Sequence, residues 1–200
     1  MFNLLTDSDL FDRASDQVGA TDSQLGKARV AALRLMRKTI RATILKEVSV
    51  SERITQKSLD GRIFFSSVEE GDESLDVWIG TWNISPFAIG KPTQNSRGVR
   101  AGKRSYPGAF LGSVYTSEQK VWIRLYSKHY TPDLYPTDYR PGDRGIGSNR
   151  GRFPVVRAAI PIDHIVQRVM ESNQDYFAQQ FEKKFVQQLN YQVNVKGGLS

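Results

Sequence analysis

The chain has 200 residues, and its 39% hydrophobic and 24% charged content is typical of a folded protein rather than a disordered one. The net charge of +7 indicates an acidic partner: nucleic acid, an anionic membrane or another protein. A solvated basic surface is an equally good explanation of this charge. The absence of cysteine excludes disulfides and thiolate metal sites.

Two further features of the sequence concern localisation. Residues 1–9 are acidic where a signal peptide would be basic. No apolar run approaches the roughly 20 residues that a membrane helix needs. The sequence therefore predicts a soluble protein that is made in the cytoplasm and has no membrane partner.

The first 60 residues are predicted to be helical. Residues 8–18 predict a short helix that starts at a serine cap and stops at Gly19. A longer helix is predicted from about Asp22 to about Val48, because apolar residues recur there at three- and four-residue spacing. The apolar row is Leu25, Ala28, Ala32, Met36, Ile40 and Ile44, and the opposite face carries Lys27, Arg34, Lys38 and Arg41. A third short helix is predicted to start at Ser51.

Residues 61–161 change to a period of two, which predicts strands. Turn residues between the strands predict long loops at 90–105 and 131–152. The first part of the earlier loop, 90–97, is predicted to be mobile. The predicted strands are 62–68, 75–84, 98–105 and 121–126.

The C-terminal part predicts a helix over 162–190, followed by a tail at 191–200. The polar residues 171–175 allow a kink within it. Its apolar row is Ile165, Val169, Phe177, Phe181, Phe185 and Leu189. Together the elements predict one α+β domain over residues 1–200. In that domain a small antiparallel sheet packs against the long N-terminal and C-terminal helices, and extended arms leave it.

Catalytic motifs are absent from the sequence. The segment from Gly98 to Arg104 has one residue too few between its glycines for a phosphate loop, and Arg104 replaces the Ser or Thr that would hold magnesium. His129 and His164 have no carboxylate at a metal-ligand spacing. The sequence therefore predicts no catalytic residue, no cofactor and no metal site, and an enzyme is the weakest of the hypotheses.

Basic runs interleaved with tyrosines are the pattern expected of a protein that binds single-stranded nucleic acid without base specificity. The same pattern also suits arms that lie on acidic neighbours in an assembly, with the tyrosines packed at interfaces. The basic residues are Lys91, Arg97, Arg100, Lys103, Arg104, Arg140, Arg144, Arg150, Arg152 and Arg157. The tyrosines are Tyr106, Tyr126, Tyr130, Tyr135 and Tyr139.

The layout resembles the minor tail protein Z family of bacteriophages, the tail completion proteins. The resemblance is carried by Arg104-Ser-Tyr-Pro-Gly-Ala-Phe110 after a basic stretch, and by Val121-Trp-Ile-Arg124. The apolar segment 154–161 and the C-terminal helix follow in the same order. Only Pro107-Gly108-Ala109-Phe110 and its flanks are specific as residues. The loop at 131–152 is longer than the corresponding family connection, and residues 51–58 are less basic.

The resemblance implies a structural virion protein at the head-proximal end of the tail, assembled in the host cytoplasm. Its expected partners are tail terminator, tail tube or connector proteins and further copies of itself in a ring, with DNA contact as a further expectation. Tyr106, Pro107, Gly108, Ala109 and Phe110 are expected to form a tight turn that Phe110 anchors. The expected basic contacts are Arg97, Arg100, Lys103, Arg104, Arg144, Arg150 and Arg152.

Overall fold

The computed structural model describes residues 2–5, 19–114, 117–132, 134–135 and 154–196. Helices lie before residue 61 and after residue 162, and most of the short antiparallel strands lie between them, which confirms the predicted α+β class. The strands form three sheets of three strands each rather than one small sheet. The described residues group into two compact units, one within 1–45, 61–80 and 168–200, the other within 46–60 and 81–167.

The elements are short except for the helices at the two ends of the chain. The helices are α1 (Asp22–Glu52), α2 (Lys57–Asp60), α3 (Asp163–Ser172) and α4 (Gln174–Tyr191), with a 3-10 turn at Pro86–Ala88 and a π-helix at Gln192–Lys196. The strands are β1 (Phe2–Leu5), β2 (Ile63–Phe65), β3 (Ser74–Ile79), β4 (Thr93–Asn95), β5 (Gly98–Ala101), β6 (Arg104–Pro107), β7 (Phe110–Gly112), β8 (Lys120–Arg124) and β9 (Val155–Arg157). The sheet orders are β1-β3-β2, β4-β5-β6 and β7-β8-β9, and every pairing is antiparallel.

The apolar rows of the long helices are buried in the first unit, as their spacing predicts. Ala28, Met36 and Ile40 of α1 are fully buried, and Leu75 and Val77 of β3 are buried in the same unit. The row on α4 is also buried; it consists of Phe177, Phe181, Phe185 and Leu189. The rings of Phe181 and Phe185 stack with their centroids 6.1 Å apart. Burial of these faces supplies the main hydrophobic stabilisation of the unit.

Three arginines of α1, two of them on its basic face, donate to backbone carbonyl groups. Nη2 of Arg34, Arg37 and Arg41 lies 2.7, 2.5 and 2.8 Å from the carbonyl oxygens of Val68, Ser66 and Ile63, respectively. Strand β2 is at the edge of its sheet, so its outward carbonyls have no strand partner within that sheet. Arg41 satisfies such a carbonyl, at Ile63 of β2, while Arg37 and Arg34 bind Ser66 and Val68, which follow the strand. Together the three arginines protect an edge that could otherwise pair with another chain.

Helix α1 extends further than the predicted end at Val48. It continues to Glu52 and ends where Arg53 adopts a left-handed φ of 53°. The amide of Ile54 donates to the carbonyl of Ser49, and that of Arg53 to Val50, which is the hydrogen-bond pattern of a Schellman ending. The predicted start of the third short helix at Ser51 is therefore wrong, although a short separate helix does lie before the turn at Asp60-Gly61, as α2 (Lys57–Asp60). Serine often caps a helix, but here it lies in the last turn of one.

The C-terminal helix is interrupted at Asn173, within the polar segment 171–175 that allows a kink. The side-chain amide of Asn173 donates to the carbonyl of Val169, 2.9 Å away. This side chain competes with the main-chain ladder, which explains the break. The helix predicted at residues 8–18 lies outside the described residues. No helix in the described ranges is long and apolar enough to cross a membrane.

Replacing Arg37 tests the contacts between α1 and the strand edge. We expect Arg37→Met to lower the free energy of unfolding by about 1–2 kcal/mol, since it removes a charged donor from the Ser66 carbonyl and keeps most of the aliphatic stem. Urea unfolding followed by circular dichroism measures the change. Lys38→Met is the matched control, because Lys38 is the next residue and is exposed. Equal effects of both substitutions would contradict a specific role for the Arg37 contact.

Candidate functional site

The basic segment 98–107 forms two strands of a small sheet in the second unit. Strands β5 and β6 pair with Arg100 opposite Ser105, and Gly102 and Lys103 make the turn between them. Strand β4 pairs with the other edge of β5, with Thr93 opposite Arg100. The prediction of a mobile loop at 90–97 is therefore wrong for this part of the segment. Three consecutive exposed polar residues give no alternating pattern, so the sequence carried no sign of β4.

The two faces of this sheet have different surroundings. Val99, Ala101 and Tyr106 point to one face, and all three are buried. Arg100 and Ser105 are on the other face, and both are exposed. The alternation follows the period of two in β5 and β6, so one face faces the interior of the unit and the other is available to a partner.

The predicted tight turn is present at Tyr106-Pro107-Gly108-Ala109. The amide of Ala109 donates to the carbonyl of Tyr106 at 3.3 Å, and Gly108 has a φ of 67°. Proline at the second position and a left-handed glycine at the third fit a type II turn. The amide of Gly108 also donates to the carbonyl of Arg97, 2.9 Å away.

The turn leads directly from one sheet to the next. Ala109 is buried, and Phe110 begins β7, where it is half-buried and pairs in register with Trp122 of β8. The indole of Trp122 donates to the carbonyl of Gly112 at 2.8 Å. The amide of Leu111 donates to the side chain of Gln94 in β4, also at 2.8 Å, so both sheets of this unit are joined at the turn.

A groove of about 590 Å³ lies beside the turn. Its lining includes the backbone at Gly98 and Gly108, and none of its described lining residues is acidic. At Gly108 an added Cβ would lie 2.8 Å from Cδ2 of His129, so the histidine ring packs directly against the glycine. The lining residues are Asn95, Ser96, Arg97, Gly98, Val99, Arg100, Ser105, Tyr106, Pro107, Gly108 and His129.

The predicted basic contacts divide into two groups. Arg97, Arg100 and Lys103 are exposed. Arg104 is instead held internally, because its Nη2 lies 3.0 Å from Oε2 of Glu52, whose side chain is only 12% exposed. Nε2 of His164 lies 3.6 Å from the other oxygen of the same carboxylate. Arg104 therefore neutralises the buried carboxylate of Glu52. No local sequence signal predicts this pair, because the two residues are far apart in the chain.

Two of the predicted stacking tyrosines are interior residues. Tyr106 and Tyr135 are fully buried, with ring centroids 6.2 Å apart in an edge-to-face arrangement. The Tyr135 hydroxyl donates to the carbonyl of Pro107 at 3.3 Å, which further holds the turn. Neither ring is available to stack on a base. Tyr126 is 81% exposed, whereas Tyr130 stacks on Tyr135 with centroids 6.1 Å apart.

Burial also changes the acidity of these two phenols. Burial raises the pKa of Tyr106 above its usual 10.0, while the positive charge of Arg104 acts in the opposite direction. Burial raises the pKa of Tyr135 as well, and the neighbouring Tyr106 raises it further. Both hydroxyl groups therefore stay protonated in the folded protein at a pH where exposed phenols ionise.

Three predicted basic contacts, Arg144, Arg150 and Arg152, lie outside the described residues, as do Arg140 and Tyr139. Within the described ranges, no three His, Asp or Glu side chains cluster so that they could hold a metal ion. No family model, no curated protein and no solved structure matches the chain.

Alanine at Gly108 tests the turn. We expect Gly108→Ala to lower the free energy of unfolding by about 1–3 kcal/mol, because the left-handed φ is unfavourable for alanine and its Cβ would collide with His129. Urea unfolding measures the loss. Gly61→Ala is the control, since a Cβ there meets no atom within 4 Å. Adding His129→Ala to the variant should recover part of the loss. If no recovery occurs, the collision with His129 does not contribute.

The raised pKa of Tyr106 predicts a loss of stability in alkali. A tyrosine whose pKa is higher in the folded state contributes stability that is complete below the unfolded pKa, about 10, and is lost as the pH rises towards the folded pKa. We expect Tyr106→Phe to make the decline above about pH 10 shallower. Urea unfolding at several pH values measures this slope, with exposed Tyr126→Phe as the control. An unchanged slope for Tyr106→Phe would contradict a raised pKa of Tyr106 as a cause of the decline.

Proposed function

We propose that this protein completes the head-proximal end of a bacteriophage tail and thereby enables a filled head to join it. The observation that carries the proposal is the turn at 106–110, the most specific part of the resemblance to tail completion proteins. It is a hydrogen-bonded corner between two sheets, and the exposed basic residues Arg97 and Arg100 lie on the strand and turn beside it. A fixed corner that presents a charged surface suits a protein that docks to neighbours in an assembly.

Exposed aromatic side chains support docking to other proteins. Phe64 of β2 and Trp78 of β3 are directly opposite each other in register, and they are 59% and 41% exposed. A cross-strand aromatic pair contributes most when it is covered, and exposed apolar patches of this kind mark interaction sites. The partners that we propose are tail terminator, tail tube or connector proteins, together with further copies of this chain in a ring.

Non-specific nucleic-acid binding is the alternative. The exposed Arg97, Arg100 and Lys103 favour it, because cations that release counterions supply most of the affinity in such complexes. Burial of Tyr106 and Tyr135 counts against it, since stacking on aromatic rings is the second element of single-strand binding. Protein docking therefore accounts for more of the site.

Depletion in a producing phage tests the proposal. We expect loss of this protein to yield filled heads and separate tails, seen by electron microscopy, which join and become infectious when the purified protein is added. Normal joined particles after depletion would overturn the proposal. Salt-sensitive binding to free DNA, together with normal particles, would favour the alternative.

The same addition assay tests Phe110. We expect Phe110→Ala to fold but to restore joining several-fold less well, because the half-buried ring fixes the strand that leaves the turn. Circular dichroism and urea unfolding establish how much of the variant is folded. Tyr126→Ala is the matched control, because it removes an aromatic ring that is 81% exposed. A folded Phe110→Ala protein that restores joining fully would contradict the anchoring role.

A further inference from the structure

We propose that the groove on the exposed face of the β4-β5-β6 sheet binds an extended acidic segment of a partner protein, with Arg97 and Arg100 as its principal contacts. This inference rests on the proposed function in one respect, that the protein works by docking to other proteins. Beyond that function, the inference names the binding site, the residues that contact the partner and the chemistry of the partner segment.

The chemistry of the lining favours an anion. Two guanidinium groups, from Arg97 and Arg100, are accompanied by the amide of Asn95 and the hydroxyl groups of Ser96 and Ser105. None of the described lining residues is acidic, so nothing among them neutralises the arginines or repels a carboxylate. A guanidinium can donate two parallel hydrogen bonds to one carboxylate, which makes arginine well suited to this ligand.

The two arginines are held on a fixed backbone. The amide of Arg97 donates to Oδ1 of Asn95 at 2.9 Å, and its carbonyl accepts from Gly108 at the same distance. Arg100 lies in the central strand of its sheet, and its Nε donates to the carbonyl of Gly102 at 3.4 Å. Because the backbone of both residues is fixed before a ligand arrives, only the side chains have to be ordered on binding.

The size of the groove suits a polypeptide. At Gly98 an added Cβ would lie 2.3 Å from the carbonyl oxygen of Tyr106, so glycine is needed for the two backbone segments that line the groove to approach this closely. The volume of about 590 Å³ falls within the range of ligand-binding clefts. A strand-like segment could place alternate carboxylates towards the arginines, since side chains alternate with a period of two.

The aromatic groups favour a protein over a nucleic acid. The Tyr106 ring lies on the buried face of the sheet, away from exposed Arg100. The other ring of the lining, His129, packs against Gly108. Single-strand binding sites combine cations with rings on which bases stack, and His129 is the one exposed ring among the described lining residues. Acidic side chains need no such rings.

Fluorescence anisotropy with the full chain tests the inference. The probe is a fluorescein-labelled peptide of alternating glutamate and serine, and its glutamine counterpart is the uncharged control. We expect the glutamate peptide to bind and the double variant Arg97→Gln/Arg100→Gln to bind it at least about tenfold more weakly. The matched control is Lys27→Gln/Lys38→Gln, which removes the same net charge from exposed positions on α1.

Each outcome decides the matter. Equal losses of peptide binding in both double variants would mean that overall charge attracts the peptide. This result would overturn the proposal that the groove is the binding site. Absence of glutamate-peptide binding would also overturn it. An oligothymidylate of equal charge that binds more tightly than the peptide, through the same arginines, would identify a nucleic-acid site instead.

A second assay separates this inference from the proposed function. If the groove variant loses peptide binding but still restores joining of heads and tails, the groove is not the site used in assembly, and the proposed function stands. If peptide binding depends on the arginines but depletion leaves normal particles, the groove stands and the proposed function fails.

Discussion

The close approach of two backbones at Gly98 is the constraint on which the second unit depends. Strands β5 and β6 run so near each other there that a Cβ would lie 2.3 Å from the carbonyl oxygen of Tyr106, and the φ of 142° is one that side chains rarely tolerate. The glycine lets Val99 and Tyr106 reach the buried face while Arg100 stays exposed. The Gly108 turn then closes against the Arg97 carbonyl, so both glycines shape one groove.

The positive charge of the chain serves two separate purposes. In the first unit Arg34, Arg37 and Arg41 donate to carbonyls at a strand edge. In the second unit Arg104 neutralises the nearly buried Glu52. Burying that carboxylate without its partner would be costly, so this charge is structural. Not every basic side chain of the sequence is therefore available to an acidic partner.

The sequence predicts those elements that are determined by residues close together in the chain. The apolar rows of α1 and α4 and the Asn173 interruption follow from helical periodicity and from polar composition, and the Pro107-Gly108 turn follows from turn chemistry. Strand β4 and the end of α1 could not be predicted, because β4 has no alternating pattern and Arg53 is a rare residue for a left-handed helix end. The partners of Arg104 and His129 depend on contacts between distant parts of the chain. Long-range packing of this kind leaves no local signal.

The residues that make the resemblance specific are also residues that the fold itself needs. Gly108 is required by its φ and by His129, and Ala109 is buried at a junction of two sheets. A substitution at Gly108 or Ala109 would disturb folding, so a defect in assembly caused by it could reflect either lost folding or lost docking. Arg97 and Arg100 lie beside the same turn but are exposed, and their side chains carry none of the hydrogen bonds that hold it. The turn is therefore explained by folding alone, and a docking role has to be tested on the exposed surface that the turn supports.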